Sequence, residues 1–117
     1  MLKKINRLTK DKDFNNVFKS NNSSYDKIIG IKVVANKLYY CRFGILVNNK
    51  VSKKAVERNK IKRKIREIIQ SKLLLFKQGY DCVIIVFPEI VNKEYQEIKG
   101  SIDKHFRKLK LYKNMDK

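Results

Sequence analysis

The chain has 117 residues, a formal net charge of +18 and a hydrophobic fraction of 43%. That fraction is enough for a packed core, which excludes a disordered basic tail, and the length fits a single domain, 1–117, with basic ends expected to fray. The charge favours nucleic acid or an anionic membrane surface as partner and gives no reason to expect a small-molecule substrate.

The longest apolar run, Cys82 to Phe87, is far too short to span a bilayer. The basic start, Met1-Leu2-Lys3-Lys4-Ile5-Asn6, leads into no apolar signal core, so the expected location is the cytoplasm. Cys41 and Cys82 lie in strand-like stretches without CxxC spacing and read as small buried apolar residues in a reducing compartment.

A first helix fits Asp11 to Lys19, with Thr9 or Asp11 as its cap and Phe14, Val17 and Phe18 on one face. Ser20-Asn21-Asn22-Ser23-Ser24 ends it. Tyr25 to Ala35 reads as a strand, Asn36-Lys37-Leu38 as a turn, and Tyr39 to Val47 as the antiparallel partner. Asn48 to Lys54 is a basic connector, with a further short strand expected near Lys50 and Val51. A long helix follows from Lys54 to Lys77, with Ser52 as cap and Gly79 as stop.

Asp81 to Phe87, apolar nearly throughout and closed by Pro88, predicts a central strand covered on both faces. The last helix fits Tyr95 to Leu111, weakened at Gly100 by roughly 1 kcal/mol relative to Ala. Helix, strands, long helix, strand and helix make a small α+β sandwich.

The long helix carries the most information. Of 6 Arg in the chain, three fall between 58 and 66. Arg holds phosphate bidentately through its planar fork, which Lys cannot copy. At about 100° per residue, Ile61, Ile65, Ile68, Ile69 and Phe76 form an apolar stripe. Arg58, Asn59, Lys62, Arg63 and Arg66 share one sector of about 140°, while Lys60, Lys64 and Glu67 fall on the remaining side.

Like charges at i, i+4 cost a lone helix about 0.2–0.5 kcal/mol per pair, a cost that a bound polyanion removes. The cluster also sits in the first turns, where free N–H groups and the helix dipole favour phosphate. A solvated Lys-rich face would not concentrate Arg and Asn in this way. A membrane-surface helix would need the Ile stripe that the fold itself uses.

This segment, Arg58-Asn59-Lys60-Ile61-Lys62-Arg63-Lys64-Ile65-Arg66, resembles the signature of the bacterial ribonuclease P protein subunit: an Arg-Asn pair, then a Lys-Arg pair and a further Arg. Lys50-Val51-Ser52-Lys53-Lys54-Ala55-Val56 is similar to the family's Lys-rich connector, although Asn48-Asn49 and Ser52 depart from it, and Lys60 stands where many members have Arg. Arg7-Leu8, Asp13-Phe14-Asn15-Asn16-Val17-Phe18 and His105-Phe106-Arg107-Lys108 also match in order and spacing.

The resemblance implies a two-layer αβββαβα sandwich, ribosomal-protein-like, with a small mixed sheet and a left-handed βαβ crossover where the general rule is right-handed. It implies a subunit of an endoribonuclease, ribonuclease P, whose RNA removes the 5′ leader of precursor tRNA. Lys53, Lys54, Arg58, Asn59, Lys60, Lys62, Arg63 and Arg66 would bind the catalytic RNA. A cleft between the sheet and the first helix would bind the single-stranded leader.

For that cleft the chain offers Phe14, Phe18, Tyr25 and Tyr39 as stacking aromatics, with Lys32 and Arg42 as cations. Taken alone, Phe14 and Phe18 at helical spacing would read as core residues. No catalytic residue is expected. The 11 acids are scattered, whereas two-metal phosphodiester cleavage needs clustered carboxylates. The lone His105, set among Lys104 and Arg107, reads as a surface residue, and the four Gly form no phosphate-cradling loop. The expected cofactor is therefore Mg²⁺ held mainly by the RNA, with no protein metal ligand singled out. The alternative is a ribosomal or ribosome-associated RNA-binding protein, which size, charge and architecture fit equally.

Overall fold

The structure is a computed structural model and describes residues 2–113. The expectation of frayed ends falls on Met1 and residues 114–117, outside the described residues. In chain order the elements are α1 (Asp11–Phe18), β1 (Ser23–Tyr25), β2 (Ile29–Ala35), β3 (Arg42–Leu46), α2 (Ala55–Lys72), β4 (Tyr80–Val86) and α3 (Tyr95–Lys108).

The four strands form one mixed sheet in the order β1-β2-β4-β3. Here the sequence expectation needs correcting. The stretch around Tyr39 to Val47 is not the antiparallel partner of the strand before it: β4 lies between β2 and β3, antiparallel to β2 and parallel to β3. The physical reason is in β4 itself. Its Cys82, Val83 and Ile84 are almost completely buried, so it needs neighbours on both edges as well as on both faces.

The expected strand Tyr25–Ala35 is in fact a hairpin. Asp26 Oδ1 accepts the backbone N–H groups of Ile28 and Ile29, each at 2.9 Å, and folds the chain back after Tyr25. The strand expected near Lys50 and Val51 is a turn, closed by Val51 N–H donating to Asn48 O at 3.1 Å. The outer edge of β3 is covered by the N-terminal segment, with Leu8 N–H donating to Phe43 O at 2.8 Å.

Neither Thr9 nor Asp11 caps α1. Lys10 holds that position without a side-chain bond, and Asp11 and Asp13 complement the free N–H groups from inside the first turn. Ser52 is not the cap residue of α2, which is Lys54. Its hydroxyl nonetheless accepts Lys54 N–H at 3.2 Å and donates to Glu57 at 2.5 Å. α2 stops at Lys72 and tightens into a 3-10 turn, Leu73–Leu75. Gly79 instead turns the chain into β4 with φ of +89°. α3 opens with a capping box between Glu94 and Glu97, and Lys110, at φ 58°, ends the helical run.

The main core lies between the sheet and the α2/α3 layer. Ile31, Val33, Phe43 and Ile84 of the sheet meet Ile65, Ile68 and Ile69 of α2 and Ile102 and Phe106 of α3. Phe76 stacks edge-on to Phe106 at 4.7 Å between centroids. Cys41 and Cys82 are free and buried, and burial pushes both thiols up from their usual range. On the opposite face α1 crosses the sheet and seats Val17 on Val83, flanked by Leu8, Phe14, Val34 and Ile85.

His105 is not a surface residue. It is 1% exposed, and its Nδ1 shares a 2.6 Å hydrogen bond with the Ser24 hydroxyl. Nε2 lies 3.1 Å from Asp26 Oδ2, without the geometry of a hydrogen bond. Asp26 Oδ2 also accepts from Ser101 Oγ at 2.6 Å. This polar knot ties the β1–β2 turn to α3.

Candidate RNA interface

The basic sector of α2 forms as one surface. Arg58, Lys62 and Arg66 are half-buried along the flank of the Ile stripe, while Asn59 and Arg63 are exposed. The Arg58 guanidinium is aimed by a bond from Nη1 to Ser52 O at 2.9 Å. Asn59, Arg63, Arg66 and Glu67 line a groove of about 300 Å³ on the helix surface. Lys53 and Lys54 are exposed at the helix start, and Lys60 is exposed on the far side.

Arg7, not assigned to the site from sequence, stands close enough to act on this surface. Loss of water on packing, and then the nearby Arg7 charge, hold the Arg66 guanidinium below its usual value. Arg7 is itself fixed by Nε donating to Leu2 O at 3.0 Å. Two Arg held together without a carboxylate between them are repulsive until an anion enters. The only sequence signal for Arg7 is its place beside Leu8, on a segment that the structure lays against β3.

The second candidate surface is the sheet face that α1 covers only in part. Strand alternation and register place Tyr25, Gly30, Ile85 and Leu46 in one row across that face. The next row carries Ser23, Lys32, Val83 and Gly44, and the third Val34, Asp81 and Arg42. α1 sits over the second row, with the Phe14 ring against Gly44, where a Cβ would collide with it.

The first row is left open, with Tyr25 50% and Leu46 37% exposed. The Tyr25 ring lies over Gly30, and its centroid is 6.3 Å from that of Phe87, an aromatic that the sequence reading passed over. Lys32 Nζ, from the second row, donates to Phe18 O at 3.0 Å, which sets the exposed Phe18 at the end of α1 beside Lys32. Phe18 and Lys32 are therefore neighbours, Tyr25 lies one row along the same face, and Phe14 is packed on Gly44.

Tyr39 and Arg42 are placed differently. Tyr39 belongs to the β2–β3 connection, at the opposite end of the strands from Tyr25, beside Tyr40, Leu74 and Lys77. The Arg42 guanidinium is held by two carboxylates, Asp81 and Asp13. Among the described residues no three His, Cys, Asp or Glu side chains converge as metal ligands. Asp13, Asp26, Asp81 and Asp103 each bond to protein donors. The donor set does not fit a resident Mg²⁺.

The family model described as Ribonuclease P matches residues 2–110. The ribonuclease P protein component of Petrotoga mobilis is 39% identical over 92% of this chain and 93% of its own length. That of Alkaliphilus oremlandii is 33% identical over 94% and 96%. Among solved structures, a Staphylococcus aureus RNase P protein mutant with defective mRNA degradation activity superposes with a TM-score of 0.86 at 27% identity, covering 93% of this chain and 92% of its own. The RNase P protein of Thermotoga maritima gives 0.74 at 28% identity, covering 84% and 92%. A match that runs through both surfaces and nearly the whole fold leaves one conclusion: the chain belongs to the ribonuclease P protein family.

Proposed function

We propose that this chain works as the non-catalytic protein subunit of ribonuclease P, gripping the catalytic RNA through α2 and holding the single-stranded 5′ leader of precursor tRNA on the open sheet face. One observation carries the reading: Arg58, Asn59, Lys62, Arg63 and Arg66 form one flank of α2, and Arg7 adds a further unneutralised cation beside Arg66. Such an array repels itself by roughly 0.2–0.5 kcal/mol per pair, which a bound polyanion relieves, and its Arg forks suit phosphate.

On the other surface Phe18, Tyr25 and Phe87 offer ring faces for bases and Lys32 a cation for phosphate. Phe14 seats α1 on Gly44, and Arg42 fixes α1 at the cleft wall. The chemistry and its Mg²⁺ would be left to the RNA, because Asp13, Asp26, Asp81 and Asp103 are engaged in structural bonds. The protein would act by positioning: one face anchors it to the RNA, the other aligns the leader, and precursor is thereby favoured over mature tRNA. The cytoplasm is where such a complex would work. Among the described residues no helix is long and apolar enough to cross a membrane.

The family match decides against the ribosome-associated alternative. The test is capture of the tagged full chain from the cells that make it, followed by RNA sequencing. Enrichment of ribonuclease P RNA is expected, and enrichment of ribosomal RNA alone would overturn the reading.

A further inference from the structure

Tyr39 is 75% exposed, and it is not a loose side chain on a loose loop. Asn36 braces the connection that carries it. Asn36 Oδ1 accepts Leu38 N–H at 2.7 Å, and Nδ2 donates to Tyr40 O at 3.2 Å and to Asp81 Oδ1 at 2.8 Å. Lys37 takes the left-handed conformation at φ 65°. The loop also crosses close over Gly79, where a Cβ would sit 3.0 Å from Leu38 O. Asn36, Lys37 and Gly79 thus hold the connection in one shape, with an aromatic ring projecting into water.

The Tyr39 and Tyr40 rings meet edge-to-face, 5.1 Å between centroids. They border a cleft of about 170 Å³ together with Leu74, Lys77, Gln78 and Lys113. Leu74 is 90% exposed, and Leu75 beside it 51%. Tyr39, Leu74 and Leu75 thus expose apolar surface side by side at one end of the sheet.

The lining decides among occupants. Among the described residues no carboxylate lines the cleft, and two lysines do. A second copy of this chain, at +18, is the least favourable partner for such a rim. A planar anionic ligand fits each part: ring faces and leucine for a base, Gln78 for its polar edge, lysines for its phosphate.

We infer that this cleft seats one unpaired nucleotide of the partner RNA, at the end of the sheet opposite the leader surface. The inference rests on the ribonuclease P reading, and it assigns Tyr39 to the RNA subunit, not to the leader.

Filter-binding titration of the full chain against its ribonuclease P RNA tests this. Tyr39→Ala should weaken binding about tenfold, the effect of losing one base stack. The salt dependence should keep its slope, because no phosphate contact is lost. Tyr39→Phe should bind like the natural protein, and preference for leader-bearing substrate should be unchanged in both variants. Arg63→Ala is the control that separates the two readings. If Arg63→Ala weakens binding and Tyr39→Ala does not, the cleft assignment fails alone. If neither does, the RNA-binding reading fails with it. Three further outcomes overturn the assignment: loss of leader preference in Tyr39→Ala with RNA affinity intact, a Tyr39→Phe protein as weak as Tyr39→Ala, or sedimentation showing a dimer that Tyr39→Ala disperses while RNA affinity holds.

Discussion

Arg42 grips Asp81 in fork-to-fork fashion, Nε to Oδ1 at 2.9 Å and Nη2 to Oδ2 at 2.7 Å, while its remaining Nη1 reaches Asp13 of α1 at 3.1 Å. One guanidinium thus joins β3, β4 and α1. The Asp81 side chain is 2% exposed and the Arg42 side chain 22%. The hydrogen bonds to Asp81 hold the Arg42 guanidinium above its usual value. Arg42→Ala would leave a buried carboxylate unpaired, a loss at the lower end of about 3–5 kcal/mol. Urea denaturation should show it directly. Arg42→Lys, which keeps the charge and loses the fork, should fall between the two. A melting transition unchanged in Arg42→Ala would mean that the bridge does not hold α1.

The α2 surface makes a prediction in salt. Replacing Arg58 and Arg63 together with Ala removes two guanidinium forks from one helix flank. Each charge-assisted contact is worth roughly 1.5–3 kcal/mol when held at an interface. Affinity for the catalytic RNA should fall, and the slope of log K against log salt should become shallower by about one to two units. An unchanged slope in the double variant would show this helix face to be merely solvated.

Acid should lower the protein's stability in two stages. Burial lowers the His105 pKa from the usual 6.5, against the raising pull of Asp26 and with the lowering push of Lys104. The folded protein therefore holds this ring neutral while the unfolded chain takes up a proton first. Stability is complete above 6.5 and declines as pH falls from there toward the folded value. The slope is at most about 1.4 kcal/mol per pH unit for one proton. Asp103 starts a second decline. Its partial burial raises its pKa, but bonds from Arg107, Tyr112 and Lys72 outweigh this and bring it from 3.8 down to about 2. Asp26 lies lower still, the upward pull of burial being overcome by bonds from Ser101, Ile29 and Ile28. Stability from both carboxylates is present above 3.8 and lost as pH falls below it. His105→Gln, measured by urea midpoint at each pH, should flatten the first stage and keep the second. A first stage that persists in that variant must come from another group.

Two glycines on the same sheet face should behave in opposite ways. A Cβ at Gly44 would strike the Phe14 ring, which is packed under α1 with Leu8, so Gly44→Ala should lower the melting temperature. A Cβ at Gly30 would strike the Tyr25 ring, which is half in water and can swing away. Gly30→Ala should therefore fold while tilting Tyr25 off the sheet, and its preference for precursor over mature tRNA should drop. Equal loss of stability in both variants would place Tyr25 in the packing, not on a binding surface.

Some of this could be read from the chain and some could not. The Ile61, Ile65, Ile68 and Ile69 stripe and its basic flank follow from helical periodicity, a local property. The strand order does not. A three-residue turn between two apolar stretches reads as a hairpin, yet β4 enters between them from far along the chain. The hint was the continuous apolar run of β4, which calls for a neighbour on each edge. His105 looked exposed because its chain neighbours are Lys104 and Phe106-Arg107. Its burial comes from Ser24, 81 residues away. The Phe14-x-x-Val17-Phe18 pattern marked one helix face without dividing it: Val17 alone is fully buried.

That division sets the last prediction. Phe18 is 39% exposed at the C-terminal end of α1, beside Lys32, whereas Phe14 is half-buried against Gly44 and the Leu8 side chain. Phe18→Ala removes a ring that spends much of its surface in water, so the fold should lose far less than the roughly 3–5 kcal/mol of a buried Phe→Ala change. If the ring stacks on a leader base, the variant should lose about 1–3 kcal/mol of the advantage of precursor over mature tRNA, while assembly with the RNA subunit is unaffected. Phe14→Ala should show the reverse balance, a clear drop in melting temperature with leader discrimination falling only as the fold does. Competition between labelled precursor and mature tRNA, read beside circular-dichroism melts of both variants, separates the cases. A well-folded Phe18→Ala protein that discriminates as fully as the natural one would remove this ring from the leader surface and leave α1 as packing alone.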